Sequence, residues 1–193
     1  MLAFDEVKHV YTLDGQIIPS VTTIMKPLSE YVYRGVDEGV LAEAARKGTI
    51  VHNAIENWLK FGFEDIPEEQ KGYFDAYKAF EADYKPVMLE SEYRMCHNLL
   101  RYAGTADFLC EINGETTLID FKTTSVLYPK LTRVQLEAYR QAAQSIGKDI
   151  KHKAILQLKP NGKYVYERHE DIDLEAWLMF GHLFAIYGYA TKK

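Results

Sequence analysis

An acid and a base two positions apart, Asp120 and Lys122, follow the apolar pair Leu118-Ile119, and a second acid, Asp107, stands upstream in Gly104-Thr-Ala-Asp107. Between them two apolar runs flank Asn113-Gly114, the strongest short-range signal for a tight β-hairpin. Side chains alternate along a strand, so Asp120 and Lys122 share one face, on the order of 6.5 Å apart, with Asp107 across the hairpin. Two carboxylates beside an ammonium can assemble a hard-cation site. Oxygen ligands suit Mg²⁺ or Mn²⁺, and a neighbouring lysine can steady developing negative charge or orient a water. An acid–lysine triplet alone describes a solvated strand face equally well. Three features favour the site: Asp120 closes an apolar strand, Gly104 permits close backbone approach, and Lys122-Thr123-Thr124 leaves the strand for a loop, where catalytic groups tend to sit.

The elements that would position these groups follow from periodicity. Residues 1–25 alternate around Asp14-Gly15 and read as a β-hairpin interrupted at Pro19, with Ser20 or Thr22 opening a short helix. Residues 26–37, broken by Pro27 and Gly35, form a connector with a short helix. Helical spacing over 38–61 sets His52 and Glu56 on one face, and Gly48-Thr49 is expected to split or kink that helix. Residues 68–85 form an amphipathic helix whose stripe Tyr73, Phe74, Tyr77, Phe80 and Tyr84 reads as core rather than a base-stacking platform. A strand over 88–98 carries Glu92, and the central hairpin spans 99–112 and 115–122. A helix over 131–146 stops at Gly147. Strands over 150–158 and 163–168 flank Pro160-Asn161-Gly162, and a last helix spans 171–187. This order predicts an α/β fold with a central mixed β-sheet flanked by helices. The whole chain, 1–193, reads as a single domain with residues 1–25 as an N-terminal hairpin extension.

Composition narrows the function classes. At 47% hydrophobic and 26% charged, the 193-residue chain has the balance of one globular domain with a full core. No apolar run approaches a membrane span, and Met1–Lys8 lacks the regions of a signal peptide. Cys96 and Cys110 form no motif and read as free, buried thiols of a reducing, cytoplasmic setting. A net charge of −5 argues mildly against a broadly basic nucleic-acid surface, yet a small basic groove or metal-neutralised carboxylates remain compatible with it.

Four motifs in order, Gly48-Thr-x-x-His52, Gly104-x-x-Asp107, Asp120-x-Lys122 and Gln135-x-x-x-Tyr139, resemble the signature of the PD-(D/E)XK nuclease superfamily, in its RecB-like exonuclease branch. The N-terminal His9-x-Tyr11 and Pro19-Ser20-Val21-Thr22 resemble the hairpin of phage and prophage exonucleases. The resemblance covers most of the chain. It implies a restriction-endonuclease-like core with Asp107, Asp120 and Lys122 at one edge of the sheet, and His52 with the Gln135/Tyr139 helix lining the same cleft. It implies that one or two Mg²⁺ or Mn²⁺ ions are held by Asp107 and Asp120, with the Phe121 carbonyl an extra ligand and His52 either a further ligand or the group that orients one. Lys122 would position or activate the attacking water and stabilise the charged phosphorane-like state, and Gln135 and Tyr139 would contact the strand or brace the site.

The implied function is a metal-dependent deoxyribonuclease hydrolysing phosphodiester bonds by metal-activated water. It would be an exonuclease of phage type acting on single- or double-stranded DNA ends in recombination or repair, with a homo-oligomer or a recombination protein as further partners. Two other readings stand beside it: a structure-specific endonuclease on the same site, and a non-catalytic nucleic-acid-binding module retaining the fold. Some relatives bind an iron–sulfur cluster through four cysteines; two cysteines cannot. Glu56 and Glu92 are each as readily a site acid as a surface or structural one. Lys130, Arg133 and Arg140 are candidates for phosphate contacts, with an ordinary solvated face the simpler reading.

Overall fold

The computed structural model describes residues 1–169 and 171–191. Asn113 and Gly114 both adopt positive φ and close the hairpin between β5 (Tyr102–Ile112) and β6 (Glu115–Lys122). The same turn chemistry at Asp14-Gly15 joins β2 (Val10–Leu13) to β3 (Gln16–Ile18). The expected N-terminal hairpin gains a third strand, β1 (Leu2–Asp5), which pairs antiparallel with β2. Ser20 then caps α1 (Val21–Ile24), its Oγ accepting from the Thr23 N–H at 3.0 Å.

The main sheet has five strands in the order β4-β5-β6-β7-β8, adding β4 (Val87–His97), β7 (His152–Leu158) and β8 (Tyr164–Arg168). Only β6 and β7 run parallel, linked by the crossover helix α5 (Pro129–Ser145). Helix α2 (Lys26–Val32) lies in the expected connector. Helices α3 (Glu38–Phe61) and α4 (Lys71–Tyr84) cover one face, where Val51, Ile55, Phe74, Tyr77 and Phe80 pack on Phe108, Ile119, Phe121 and Leu156. The aromatic stripe of α4 is therefore core through Phe80, with Tyr84 at its margin. Helices α1, α5 and α6 (Leu174–Thr191) cover the other face around Tyr102, Leu118 and Ile155.

Two expectations change. Helix α3 runs unbroken through Gly48-Thr49, the Thr49 hydroxyl donating back to the Ala45 carbonyl. Asp107, Asp120 and Lys122 do not lie at a sheet edge: β6 is the middle strand, and the acids stand where β5 and β6 part. Pairing of these strands ends at Phe108–Ile119, because β5 continues beside β4 while β6 follows β7.

Candidate active site

Where the ladder stops, the Asp107 side chain takes over. Its Oδ2 accepts the Phe121 N–H at 2.6 Å, a bond that a β5 carbonyl would otherwise supply, and its Oδ1 lies 3.1 Å from His52 Nδ1 on α3. The Phe121 ring turns into the α3–α4 core, edge-on to His52. Asp120 is buried; its Oδ1 accepts from Gln135 Nε2 at 3.2 Å, and Lys122 Nζ is 2.5 Å from its Oδ2. That ammonium approaches off the direction of a hydrogen bond, leaving Asp120 Oδ2 buried without a hydrogen-bond donor. Lys122 Nζ also donates to Gln135 Oε1 at 3.3 Å, and Gln135 Nε2 donates to Tyr139 Oη at 3.0 Å. Four turns of chemistry from α3, β5, β6 and α5 thus meet at one point.

Gly104 makes that meeting possible. A Cβ there would lie 2.4 Å from Tyr139 Cε1, so only glycine lets the α5 ring seat against β5. At Gly48, by contrast, a Cβ would meet the Thr123 hydroxyl at an ordinary 3.6 Å, so the passage of α3 there does not require glycine.

Electrostatics separate the two acids. Burial pushes the Asp120 carboxyl upward more strongly than Lys122 pulls it down, and the charge of Asp107 adds to the rise. Burial acts on Asp107 too, but His52, Lys122 and the Phe121 N–H together hold it below the ordinary carboxylate range. The reverse balance raises the pKa of both His52 and Lys122: burial disfavours the two cations, and the two aspartates outweigh it. Burial drives the Tyr139 phenol far up, so it remains neutral.

A cleft of about 470 Å³ opens onto this cluster. His52, Asn53 and Glu56 of α3 form one wall, Glu92, Arg94, Gly104 and Asp107 the floor, and His9, Tyr11, Ser20 and Thr22 the far side. Both N-terminal motifs therefore reach the cleft. Glu56 pairs with Lys60 at its rim. Glu92 resolves toward the site: it has positive φ between the pairs Ser91–Phe108 and Tyr93–Ala106, and burial, then Asp107 and Glu56, push its carboxyl up to about 7. Arg133 and Arg140 leave the list of phosphate contacts. Arg133 is bidentate on Asp173, and Arg140 is buried on Glu137. Lys130 is exposed.

Sequence reading missed Arg94 and Thr105. Arg94 is the one lysine or arginine among the residues lining this cleft, stacked 4.9 Å over Phe4 and bonded to Glu6. Thr105 bonds Tyr11 Oη at 2.6 Å and ties the N-terminal sheet to β5. Thr105 sits inside the Gly104-x-x-Asp107 motif, where its type carried no signal; Arg94 shares the strand of Glu92.

Among the described residues, no three His, Cys, Asp or Glu side chains converge as a closed metal cage. Asp107 is turned to His52 and Phe121, and Asp120 to Gln135 and Lys122. The donor chemistry nevertheless fits a hard divalent cation: two buried carboxylates, an adjacent imidazole, and an Asp120 oxygen whose lone pairs lack a donor.

One solved structure decides the architecture. LHK-Exo, an alkaline exonuclease from Laribacter hongkongensis, crystallised in complex with dAMP, aligns over 90% of this chain and 87% of its own, at TM-score 0.50 and 11% identity. The chain has the PD-(D/E)XK fold. A second structure of LHK-Exo covers 76% of this chain and 79% of its own at TM-score 0.48 and 10% identity, and the structure of SSO0001 covers 87% and 74% at TM-score 0.48 and 15% identity. No protein-family model and no curated protein sequence matches the chain. Within the PD-(D/E)XK core, Asp107 and Asp120-x-Lys122 occupy the split between β5 and β6, and no described helix is long and apolar enough to cross a membrane.

Proposed function

We propose that the chain is a Mg²⁺- or Mn²⁺-dependent deoxyribonuclease, an exonuclease of phage type that processes DNA ends in recombination or repair. The observation that carries this reading is the convergence of Asp107, Asp120 and Lys122 with His52, Gln135 and Tyr139 where two strands of a nuclease-like fold separate. Asp107 and Asp120 would hold the ion, with His52, as the neutral imidazole, and the Phe121 carbonyl as further ligands. The ion, when bound, supplies the charge that activates water and offsets negative charge on the phosphate.

The chain's own groups divide the remaining work. Lys122 is held as a protonated ammonium by the two aspartates, so it acts by donating hydrogen bonds and charge, not by abstracting a proton. Gln135 bridges Asp120, Lys122 and Tyr139, fixing the lysine and the acid relative to each other. Glu92 titrates near neutrality in the cleft and is placed to exchange a proton there. Arg94 offers the cleft a guanidinium for the substrate's phosphates.

Incubation with end-labelled linear DNA, Mn²⁺ or Mg²⁺, EDTA and Lys122→Ala controls tests this. The expected result is metal-dependent loss of label that the variant abolishes, while covalently closed circular DNA stays intact. Cleaved circles would replace the exonuclease with an endonuclease. A folded protein that binds Mn²⁺ yet cuts no DNA form would leave a binding module.

A further inference from the structure

Helix α6 stands apart from the other long helices, α3, α4 and α5. From Leu174 to Thr191 it carries one charged side chain, Glu175, and Arg133 already pairs with that carboxylate at 3.0 Å. Ala176, Phe180 and Leu183 face the core. The opposite face is apolar as well: Leu174, Leu178, Met179, Ile186 and Tyr189 are all exposed, Leu178 at 65% and Tyr189 at 86%. A helix hydrophobic all round belongs inside a protein or an assembly. These five residues present on the order of 700 Å² to water, above the largest patch of a typical monomer and close to the roughly 800 Å² per partner of a standard interface.

The pattern on this face is self-complementary. His182 stands at the helix midpoint, with small, exposed Gly181 and Ala185 beside it and large side chains toward both ends. Nothing lies within 4 Å of a Cβ added at Gly181, so a second backbone has room to approach. When two such helices run antiparallel about His182, Leu178 falls level with Ile186 of the second copy, Met179 with Ala185, Leu174 with Ala190, and Tyr189 with the Glu175 that Arg133 already pairs. Each contact is repeated by the twofold axis, which is what an isologous interface requires. Like charges do not meet, because the single acid is paired within its own chain. We propose that α6 is the interface of a homodimer, two copies packing antiparallel about a dyad at His182.

Sedimentation equilibrium on the full chain tests it. The wild type is expected to be a dimer at micromolar concentration. Leu178→Glu should weaken dimerisation by about 100-fold or more while leaving the far-UV circular dichroism unchanged, since the side chain is mostly exposed. If that variant fails to fold, Tyr189→Glu asks the same question from a more exposed position. Orientation is read by mild oxidation: His182→Cys should form a disulfide-linked dimer and Leu174→Cys should not. A wild type that is monomeric at about 100 µM or trimeric, a dimer indifferent to both glutamates, or cross-linking through Cys at 174 would each overturn the proposal.

Discussion

Helix α5 faces two buried clusters of charge, and they are built on opposite principles. On one side Glu137 is fully buried and accepts from Arg140, Gln141, Lys153 and the Asp173 N–H, while Asp173 is itself clasped by Arg133. Its carboxyl is below the ordinary range: burial works against the charge, and the Arg140, Lys153 and Gln141 hydrogen bonds outweigh it. Gln135 and Tyr139, on the same helix, face Asp120, whose carboxyl is pushed up and whose Oδ2 has no hydrogen-bond donor. One cluster has closed its bonds and holds α5 to the sheet. The other is held open beside a cleft. Complete satisfaction marks structure here, and an unfinished buried site marks chemistry.

The comparison breaks if the clusters respond alike. Lys122→Met should lower DNA cleavage by on the order of 10²–10³-fold with little change in urea midpoint, because the lysine's charge serves the reaction. Glu137→Gln should do the opposite. It strands Lys153 and Arg140, and urea unfolding should show a loss of about 3–5 kcal/mol with cleavage per folded molecule retained. Gly104→Ala should fall between, pushing Tyr139 off β5 at a cost of about 1–3 kcal/mol and lowering cleavage as well.

A smaller effect sharpens the contrast through pH. The Glu92 carboxyl titrates at about 7 in the fold, above its unfolded value, so its ionised form is disfavoured by folding. Stability is therefore lost as pH rises from the ordinary glutamate value of 4.5 to about 7, and it is fully regained only below 4.5. Glu92→Gln should raise the melting temperature of metal-free protein at pH 8 and leave it nearly unchanged at pH 4; thermal melts at both pH values read this directly.

Local chemistry explains what was legible beforehand. Asn113-Gly114 and Asp14-Gly15 impose their turns through backbone preference, and the aromatic stripe of α4 through its spacing, so those elements stand where expected. Residue types at motif spacing also led to Asp107, Asp120, Lys122, His52, Gln135 and Tyr139, which the fold brings together. What stayed hidden depends on partners remote in sequence. The parting of β5 from β6 arises because each follows a different neighbour. Glu92 gains its environment from its own positive φ, opposite β5, and from α3. Lys153 is fully buried, yet in sequence it is one more strand lysine; only Glu137, sixteen residues away across the crossover, makes it a core residue.

The central claim is that Asp120, the acid of the open cluster whose charge the fold disfavours, is strained without a bound metal cation and relieved by one. Because the fold raises the Asp120 pKa, its charge costs stability at neutral pH. Thermal melts of wild type and Asp120→Asn at pH 7.5, with and without Mn²⁺, test this most directly. The account predicts that metal-free Asp120→Asn melts at or above the wild type, and that Mn²⁺ raises the melting temperature of the wild type alone. A destabilised Asp120→Asn that still gains as much from Mn²⁺ as the wild type would contradict it.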